Sequence, residues 1–436
     1  MGEPHDTVEI AQDRVDVVPS LIAAVHTEDR CSTGGQRWHP VIVPRFTPFP
    51  ALRYSDAAID DLIAPPYDVL SACDLDELRE RSRFNITHVD VPQESQGPDR
   101  YLAAAATLDE WIDAGVMEYD DVATFTIYRM RFTDSTGAER NIAGVLGGLE
   151  VVDEGAGGVL PHERVTPKAS TDRLDLTRAT HANLSPVWGL SLAAGLTDLL
   201  AEPGEPLGSV TVDGVDHVIE RVSDPARLEA ISALIATDDV LIADGHHRYG
   251  ISRTYRDEIR ASNADLASPA EETLAFVNEL VADQLSVEAI HRLYHDVTLA
   301  DLTTALDTLF ERSEAGIVGV DTLATMDTRG VLCLVAANGS AQWLSPRPGA
   351  FDSVRALDGA WLEHALADLD HRVAYQHGVD HVVDAVTSNA AVAAVLIRPV
   401  SVAEIERTAR EGALMPPKST FFTPKLRTGL VIRSLV

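Results

Sequence analysis

A short segment, Asp244-Gly-His-His-Arg248, places carboxylate, imidazole and guanidinium groups directly behind an apolar run. The preceding residues, Val240 to Ala243, are all apolar and predict a buried strand that ends in a tight turn. Tyr249 to Ile259 alternates apolar and charged residues as a helix does. Because backbone N–H groups of a first helical turn point at one spot, the segment predicts an anion site. Its ligands would be Gly245, His246, His247 and Arg248.

A second charged cluster begins at His162-Glu163 and continues through Lys168, Asp172 and Arg173. It lies between a glycine-rich turn and a helix predicted from Thr171. A carboxylate in such a cluster could orient a reacting hydroxyl, or it could simply be solvated at a helix start. The residues alone leave both interpretations open, just as Asp-Gly could be an ordinary surface turn.

A third cluster, Met415 to Lys425, carries Lys418, Ser419, Thr420 and Lys425 beside two phenylalanines. Lysine otherwise occurs only at position 168. A GC-rich or salt-adapted genome would account for so little lysine, but it would not account for the positions that retain it. We expect this segment to return to the site and to supply cations for a phosphate or carboxylate.

The composition limits the partners and the compartment. Lys+Arg 35 against Asp+Glu 68 gives a net charge of −33, which argues against nucleic acid as the main partner. The three cysteines form no C-x-x-C pair, so a reducing cytoplasm is expected rather than a disulfide framework or a zinc site. No run of about 18 apolar residues predicts a membrane span. We therefore expect an acidic, soluble, cytoplasmic protein that binds a small molecule, with no prediction of its oligomeric state.

The patterns along the chain predict an α+β protein. Residues 1–40 are expected to be a poorly ordered extension, because they mix polar and charged residues. Three units are then predicted, at residues 41–150, 151–260 and 261–436. The elements on which this division depends are a helix over 101–114, strands over 123–132 and 140–149, a helix over 196–207, and a hairpin over 210–222.

Several blocks resemble the domain-of-unknown-function family ten-fifteen, over roughly Val43 to the C-terminus. The signature block is Ala243-Asp-Gly-His-His-Arg-Tyr249. The others are Ala64-Pro-Pro-Tyr-Asp-Val-Leu70, His162-Glu163 with Asp172-Arg173, Asn183-Leu-Ser-Pro186 and Met415 to Lys425. The Asp-Gly-His-His-Arg core is more distantly similar to the phosphate-binding turn of ParB/sulfiredoxin-like proteins, including free serine kinases. That resemblance implies a ParB/sulfiredoxin-like central part with flanking α+β units.

The same resemblance implies a phosphotransferase acting on a small hydroxyl compound, with free serine and O-phosphoserine as the leading pair. Glu163 and Asp244 would be its catalytic pair, and Asp244 could instead coordinate Mg²⁺. A nucleotide or pyrophosphate would donate the phosphoryl group. His162, Lys168, Ser419 and Thr420 would bind substrate or phosphate. Arg173, Lys418 or Lys425 could bind the serine carboxylate.

Three other classes of function share part of these motifs. A non-catalytic protein that binds a nucleotide or phosphometabolite as a regulator would need the phosphate turn but not Glu163. A zinc hydrolase lacks an H-E-x-x-H motif, and a ParB-like DNA binder would need a basic surface.

Overall fold

The computed structural model describes residues 43–164, 170–262, 268–319 and 321–436, and residues 41–436 form one compact unit. The extension predicted over residues 1–40 lies outside the described residues. The described helices are α1 (Ala72–Arg81), α2 (Thr87–Asp90), α3 (Arg100–Asp113), α4 (Ser170–Thr180), α5 (Leu196–Leu199), α6 (Pro225–Ile235), α7 (His246–Ser262), α8 (Leu299–Leu306), α9 (Thr322–Arg329), α10 (Asp358–Ala365), α11 (Val379–Thr387) and α12 (Val402–Arg410).

The strands of the first half are β1 (Phe46–Thr47), β2 (Leu52–Tyr54), β3 (Met117–Tyr119), β4 (Phe125–Thr133), β5 (Glu139–Glu150), β6 (Val159–Leu160), β7 (Ala182–Asn183), β8 (Val187–Ser191), β9 (Glu205–Val212), β10 (Val215–Val222) and β11 (Val240–Asp244). Those of the second half are β12 (Glu272–Glu279), β13 (Ser286–Glu288), β14 (Ile290–His295), β15 (Phe310–Ile317), β16 (Leu332–Ala336), β17 (Ser340–Pro346), β18 (Arg372–His377), β19 (Ala393–Leu396), β20 (Phe421–Thr423) and β21 (Arg433–Ser434). This is a mixed α+β protein, as predicted.

The larger sheet has nine strands in the order β6-β11-β8-β12-β5-β4-β10-β9, with β1 also paired to β5. Alternate residues of one strand enter different cores: Ile127 packs in one hydrophobic cluster and Tyr128 in another. Because side chains alternate across a strand, the sheet is covered on both faces. Its strands come from all three predicted units, so the boundaries expected at residues 150 and 260 do not separate independent sheets.

A second, six-stranded sheet follows the order β15-β17-β16-β19-β14-β18 and is antiparallel throughout. Two further hydrophobic clusters cover its faces. The chain then leaves this sheet through α12 and returns to the larger one. Beside it, β20 pairs with β13 and β21 pairs with β7 in two separate two-stranded sheets. The return brings the Met415 to Lys425 segment back to β11, as the sequence predicted.

Most of the predicted elements are present, with shifted ends. The helix expected over 101–114 is α3, and the hairpin over 210–222 is β9 and β10, whose turn has Asp213 and Gly214 at positive φ. The helix expected over 196–207 was wrong in extent, because α5 ends at Leu199 and β9 begins at Glu205. Pro203 and Gly204 separate them, and both residues disfavour a continuing helix.

No helix in the four described ranges is both long enough and apolar enough to cross a bilayer.

Candidate functional site

The site is built on the junction between β11 and α7. Val240 to Ala243 are buried between β6 and β8, and Asp244 ends the strand at the edge of the core. Gly245 has φ of 86°, and an added Cβ would lie 3.0 Å from Cζ of Arg248. Glycine is therefore required here both by the left-handed backbone and by the closeness of that guanidinium. His246 begins α7, whose first turn presents its N–H groups beside Asp244.

Two cations flank the Asp244 carboxylate. Nη2 of Arg248 lies 2.9 Å from Oδ2, and Nζ of Lys425 lies 3.3 Å from Oδ1. Burial alone would raise the pKa of Asp244, but Lys425 and Arg248 lower it below its usual range. Asp244 is thus ionised, and its two cations are placed within reach of any ligand that approaches the α7 N-terminus.

Glu163 reaches the same place from a different part of the chain. A parallel bridge joins its backbone to Met415, and the N–H of Ser419 donates to its Oε2 at 3.1 Å. Burial raises the pKa of Glu163, although backbone hydrogen bonds from Lys418 and Ser419 oppose that shift. A carboxylate with a raised pKa accepts a proton more readily, as a general base must.

His162, by contrast, does not face the ligand space. It is fully buried, with Nδ1 at 2.6 Å from the Ile242 carbonyl and Nε2 at 2.9 Å from Oγ1 of Thr420. Burial lowers the pKa of His162 to about 4, so the ring is neutral. The structure corrects the prediction that His162 binds phosphate. Both ring nitrogens are occupied, so the side chain links residues 162–163 to β11 and to Thr420 of the C-terminal segment.

The two hydroxyls predicted as phosphate ligands are also turned inward. Ser419 is buried and donates to the Pro416 carbonyl at 2.7 Å, while Thr420 is paired with His162. The two side chains therefore stabilise the conformation of residues 416–420 and do not face the cleft. Of the residues predicted in this segment, only Lys418 and Lys425 direct their charge at the site.

Lys418 is exposed and has φ of 57°, in the left-handed region that favours glycine. Arg292, buried on β14, supports this conformation by donating to the Lys418 carbonyl at 3.0 Å. The Arg292 guanidinium also lies 4.8 Å from the ring centroid of Tyr375 on β18. Sequence reasoning missed Arg292 and Tyr375. The only available signal was a charged residue inside the apolar run of β14.

These elements enclose a cleft of about 180 Å³. Its walls come from the β11–α7 turn, the Glu163 segment (residues 163–164), the Lys418 loop (residues 417–418), residues 67–68 and β18. The lining residues are Tyr67, Asp68, Glu163, Arg164, Asp244, Gly245, His246, His247, Arg248, Tyr375, Pro417 and Lys418. The space suits phosphate groups and a small molecule.

Arg173 lies behind this cleft, beyond Arg248. Its Nη1 lies 3.4 Å from the buried carboxylate of Asp90, and its guanidinium lies 4.3 Å from the Tyr67 ring centroid. The structure therefore places Arg173 in a supporting ion pair and does not bring it to the cleft. Lys168 lies outside the described residues.

The donor set was tested against Mg²⁺. In the described part of the chain, no three His, Cys, Asp or Glu side chains form a group that could hold a metal ion. Both oxygens of Asp244 already contact cations. Mg²⁺ commonly binds through one or two carboxylates together with substrate phosphates. A metal at Asp244 would therefore have to arrive with a phosphorylated ligand and share the carboxylate with Arg248 and Lys425.

The chain belongs to the family described as Protein of unknown function (DUF1015), whose sequence profile matches residues 46–360. No curated protein shows significant sequence similarity to this chain.

Among solved structures, a free serine kinase in complex with AMP is 10% identical with a TM-score of 0.36, covering 62% of this chain and 89% of that chain. SbnI from Staphylococcus aureus, truncated at its C-terminus, is 11% identical with a TM-score of 0.37, covering 66% and 87%. A conserved hypothetical protein from Pyrococcus furiosus is 10% identical with a TM-score of 0.35, covering 62% and 92%.

Proposed function

We propose that the protein is a phosphotransferase that moves a phosphoryl group from a nucleotide or pyrophosphate to a small hydroxyl compound, with free serine as the leading acceptor. The observation that carries the proposal is that Glu163 and the α7 N-terminus line one cleft of about 180 Å³. Phosphoryl transfer requires positioning, charge neutralisation and a carboxylate near the attacking hydroxyl, and this cleft combines them.

In this mechanism, N–H groups of the first turn of α7 bind the phosphates, together with the Lys418 and Lys425 cations. Asp244 would hold Mg²⁺ when it is present, and the chemistry that the metal would supply is neutralisation of the phosphate charge. Glu163 accepts the proton of the acceptor hydroxyl. The hydroxyl oxygen bonds to phosphorus as the bond from phosphorus to the leaving phosphate oxygen breaks.

Serine as acceptor and phosphoserine as product rest on the motif resemblance, and so does the ParB/sulfiredoxin-like architecture of the central part. The exposed Lys418 and Arg164 at the cleft could bind the carboxylate of an amino acid. The expected cytoplasmic location likewise remains a proposal.

The contact between Ser419 and Glu163 favours one alternative. A carboxylate that accepts a backbone hydrogen bond could be structural, and the cleft would then belong to a regulatory protein that binds a nucleotide or phosphometabolite without turnover.

The test combines turnover with binding. Wild type, Glu163→Gln and a control at an exposed glutamate, Glu202→Gln, are incubated with serine, Mg²⁺ and either ATP, ADP or pyrophosphate. Phosphorus NMR follows phosphoserine, and calorimetry follows donor binding. We expect turnover in wild type and the control. In Glu163→Gln, turnover should fall by about 10²–10⁴ while the donor still binds.

Donor binding by wild type without any turnover would replace this proposal with the regulatory one. Absence of both binding and turnover would overturn the assignment of the cleft as a phosphate site.

A further inference from the structure

A second, larger cleft of about 640 Å³ opens directly beside the first. The two share a boundary formed by Glu163, Arg164, His246 and His247. Apolar side chains form much of the larger wall, among them Val152, Val159, Pro161, Ile242 and Leu414. The charged groups needed for phosphates lie in the smaller cleft, so the two spaces differ in the chemistry they can bind.

We propose that this larger cleft binds the nucleoside part of the phosphoryl donor, so that the donor is a nucleotide rather than pyrophosphate. The inference rests on the proposed function. When the phosphates of a nucleotide bind at the α7 N-terminus, its base and ribose must occupy an adjoining space. The cavity on the other side of Arg248 holds only about 50 Å³ and contains the buried Asp90. Its volume excludes a nucleoside from that side.

The helix surface that faces the larger cleft has an unusual residue. Gly250, one turn after His246 on α7, would meet no heavy atom of the described residues within 4 Å of an added Cβ. At Gly147, by contrast, a Cβ would lie 2.4 Å from the Phe46 ring, so packing there requires glycine. Glycine lowers helix stability relative to alanine, and nothing in the described packing requires it at position 250. It leaves bare backbone against which a planar base could lie.

His246 supplies an independent observation at the shared boundary. Its Nε2 is buried and has no hydrogen-bond partner among the described residues. Buried polar atoms are normally paired, and this ring lines both clefts, so its unpaired nitrogen supports a ligand contact at their boundary. A ribose hydroxyl or a phosphate oxygen located between the clefts would provide the partner.

Other side chains of the wall are already fixed. The Tyr249 hydroxyl accepts from the Val152 N–H at 2.8 Å and donates to the Glu150 carbonyl at 2.9 Å. Arg253 pairs with Glu154 at 3.2 Å at the open side. The wall is therefore preorganised, which lowers the cost of binding a rigid ring.

The experiment compares ADP with pyrophosphate, because the two share the phosphates and differ in the nucleoside. Gly250→Leu fills the cleft, and Ala261→Leu adds the same bulk at the exposed end of the same helix. We expect Gly250→Leu to weaken ADP binding by tenfold or more and to leave pyrophosphate binding unchanged. Ala261→Leu should behave as wild type in calorimetric titrations with both ligands.

Leu414→Gln replaces an apolar residue of the cleft wall with a polar one. Leu414 is 47% exposed, so the folded protein should tolerate this change. The variant provides a second test if Gly250→Leu does not fold. It should weaken ADP binding severalfold and spare pyrophosphate. Unchanged ADP affinity in the folded variants would overturn the nucleoside site while leaving the phosphotransferase proposal intact. If wild type binds neither ADP nor pyrophosphate, the proposed function itself fails.

Discussion

The backbone N–H of Ser419 donates a 3.1 Å hydrogen bond to Oε2 of Glu163, across 256 residues of chain. This bond fixes the carboxylate in the wall of the cleft and joins the C-terminal segment to the segment that carries Glu163. It uses the backbone of Ser419 and not its side chain, whose hydroxyl is directed at Pro416.

Ser419→Ala should therefore preserve ligand binding. The substitution keeps the N–H and removes only a buried hydroxyl, so we expect a loss of about 1 kcal/mol in unfolding free energy and an unchanged Kd for ADP. Chemical denaturation and calorimetry measure the two quantities. A tenfold weaker Kd would instead show that the hydroxyl touches the ligand.

Lys418→Gly should separate stability from binding. Glycine adopts the left-handed conformation without the steric cost that lysine carries at φ of 57°, so stability should rise by up to about 1 kcal/mol. Loss of the cation should weaken pyrophosphate binding about tenfold. The matched control is Asn389→Gly, at φ of 60° and outside both clefts, which should leave binding unchanged. Equal pyrophosphate affinity in wild type and Lys418→Gly would exclude a phosphate-binding role for Lys418.

The pair formed by Lys425 and Asp244 should couple energetically. Lys425→Met leaves a partly buried carboxylate with one cation fewer, and we expect it to cost about 1–3 kcal/mol of stability. In the double variant with Asp244→Asn, the loss should be smaller than the sum of the single losses. The more exposed pair of Arg410 and Asp238 provides the control, and Arg410→Met should cost no more than about 1 kcal/mol. Additive losses at Lys425 and Asp244 would contradict the ion pair.

Two buried histidines away from the cleft should make the protein sensitive to acid. Burial lowers the pKa of both His217 and His291 from 6.5 to about 4. Nδ1 of His291 accepts from the Ile397 N–H at 3.2 Å, and Nε2 of His217 accepts from Nε of Arg427 at 3.5 Å. Both acceptors are lost on protonation.

Between pH 6.5 and about 4, the unfolded chain binds protons at these positions and the folded chain does not, so stability falls as the pH falls. Each histidine contributes a loss on the order of 3 kcal/mol, which is complete near pH 4. Denaturation at several pH values measures the slope. His291→Asn keeps an acceptor and should make the slope shallower, because the contribution of His217 remains. His364→Asn, at an exposed histidine, should leave the slope unchanged. A stability that is flat across this range would refute the assignment.

The sequence by itself determined the local parts of this site. Four apolar residues, a glycine and a helical pattern were enough to predict β11, the turn at Gly245 and α7, because strand burial, left-handed φ and amphipathic periodicity are properties of neighbouring residues. The family blocks also marked Glu163 and the Lys418 loop as members of one site.

Only the tertiary structure decided what those residues touch. Polar side chains that could bind a ligand occur at His162, Ser419 and Thr420. In the structure these side chains form hydrogen bonds within the protein instead, and the bond between His162 and Thr420 spans 258 residues. Arg292 gave only the weak signal of a charged residue inside the apolar run of β14, and Tyr375 gave none. Their roles depend on how the six-stranded sheet packs against the Lys418 loop. The direction of a side chain depends on which strands pair and on where a distant segment packs. The spacing of neighbouring residues does not encode either one.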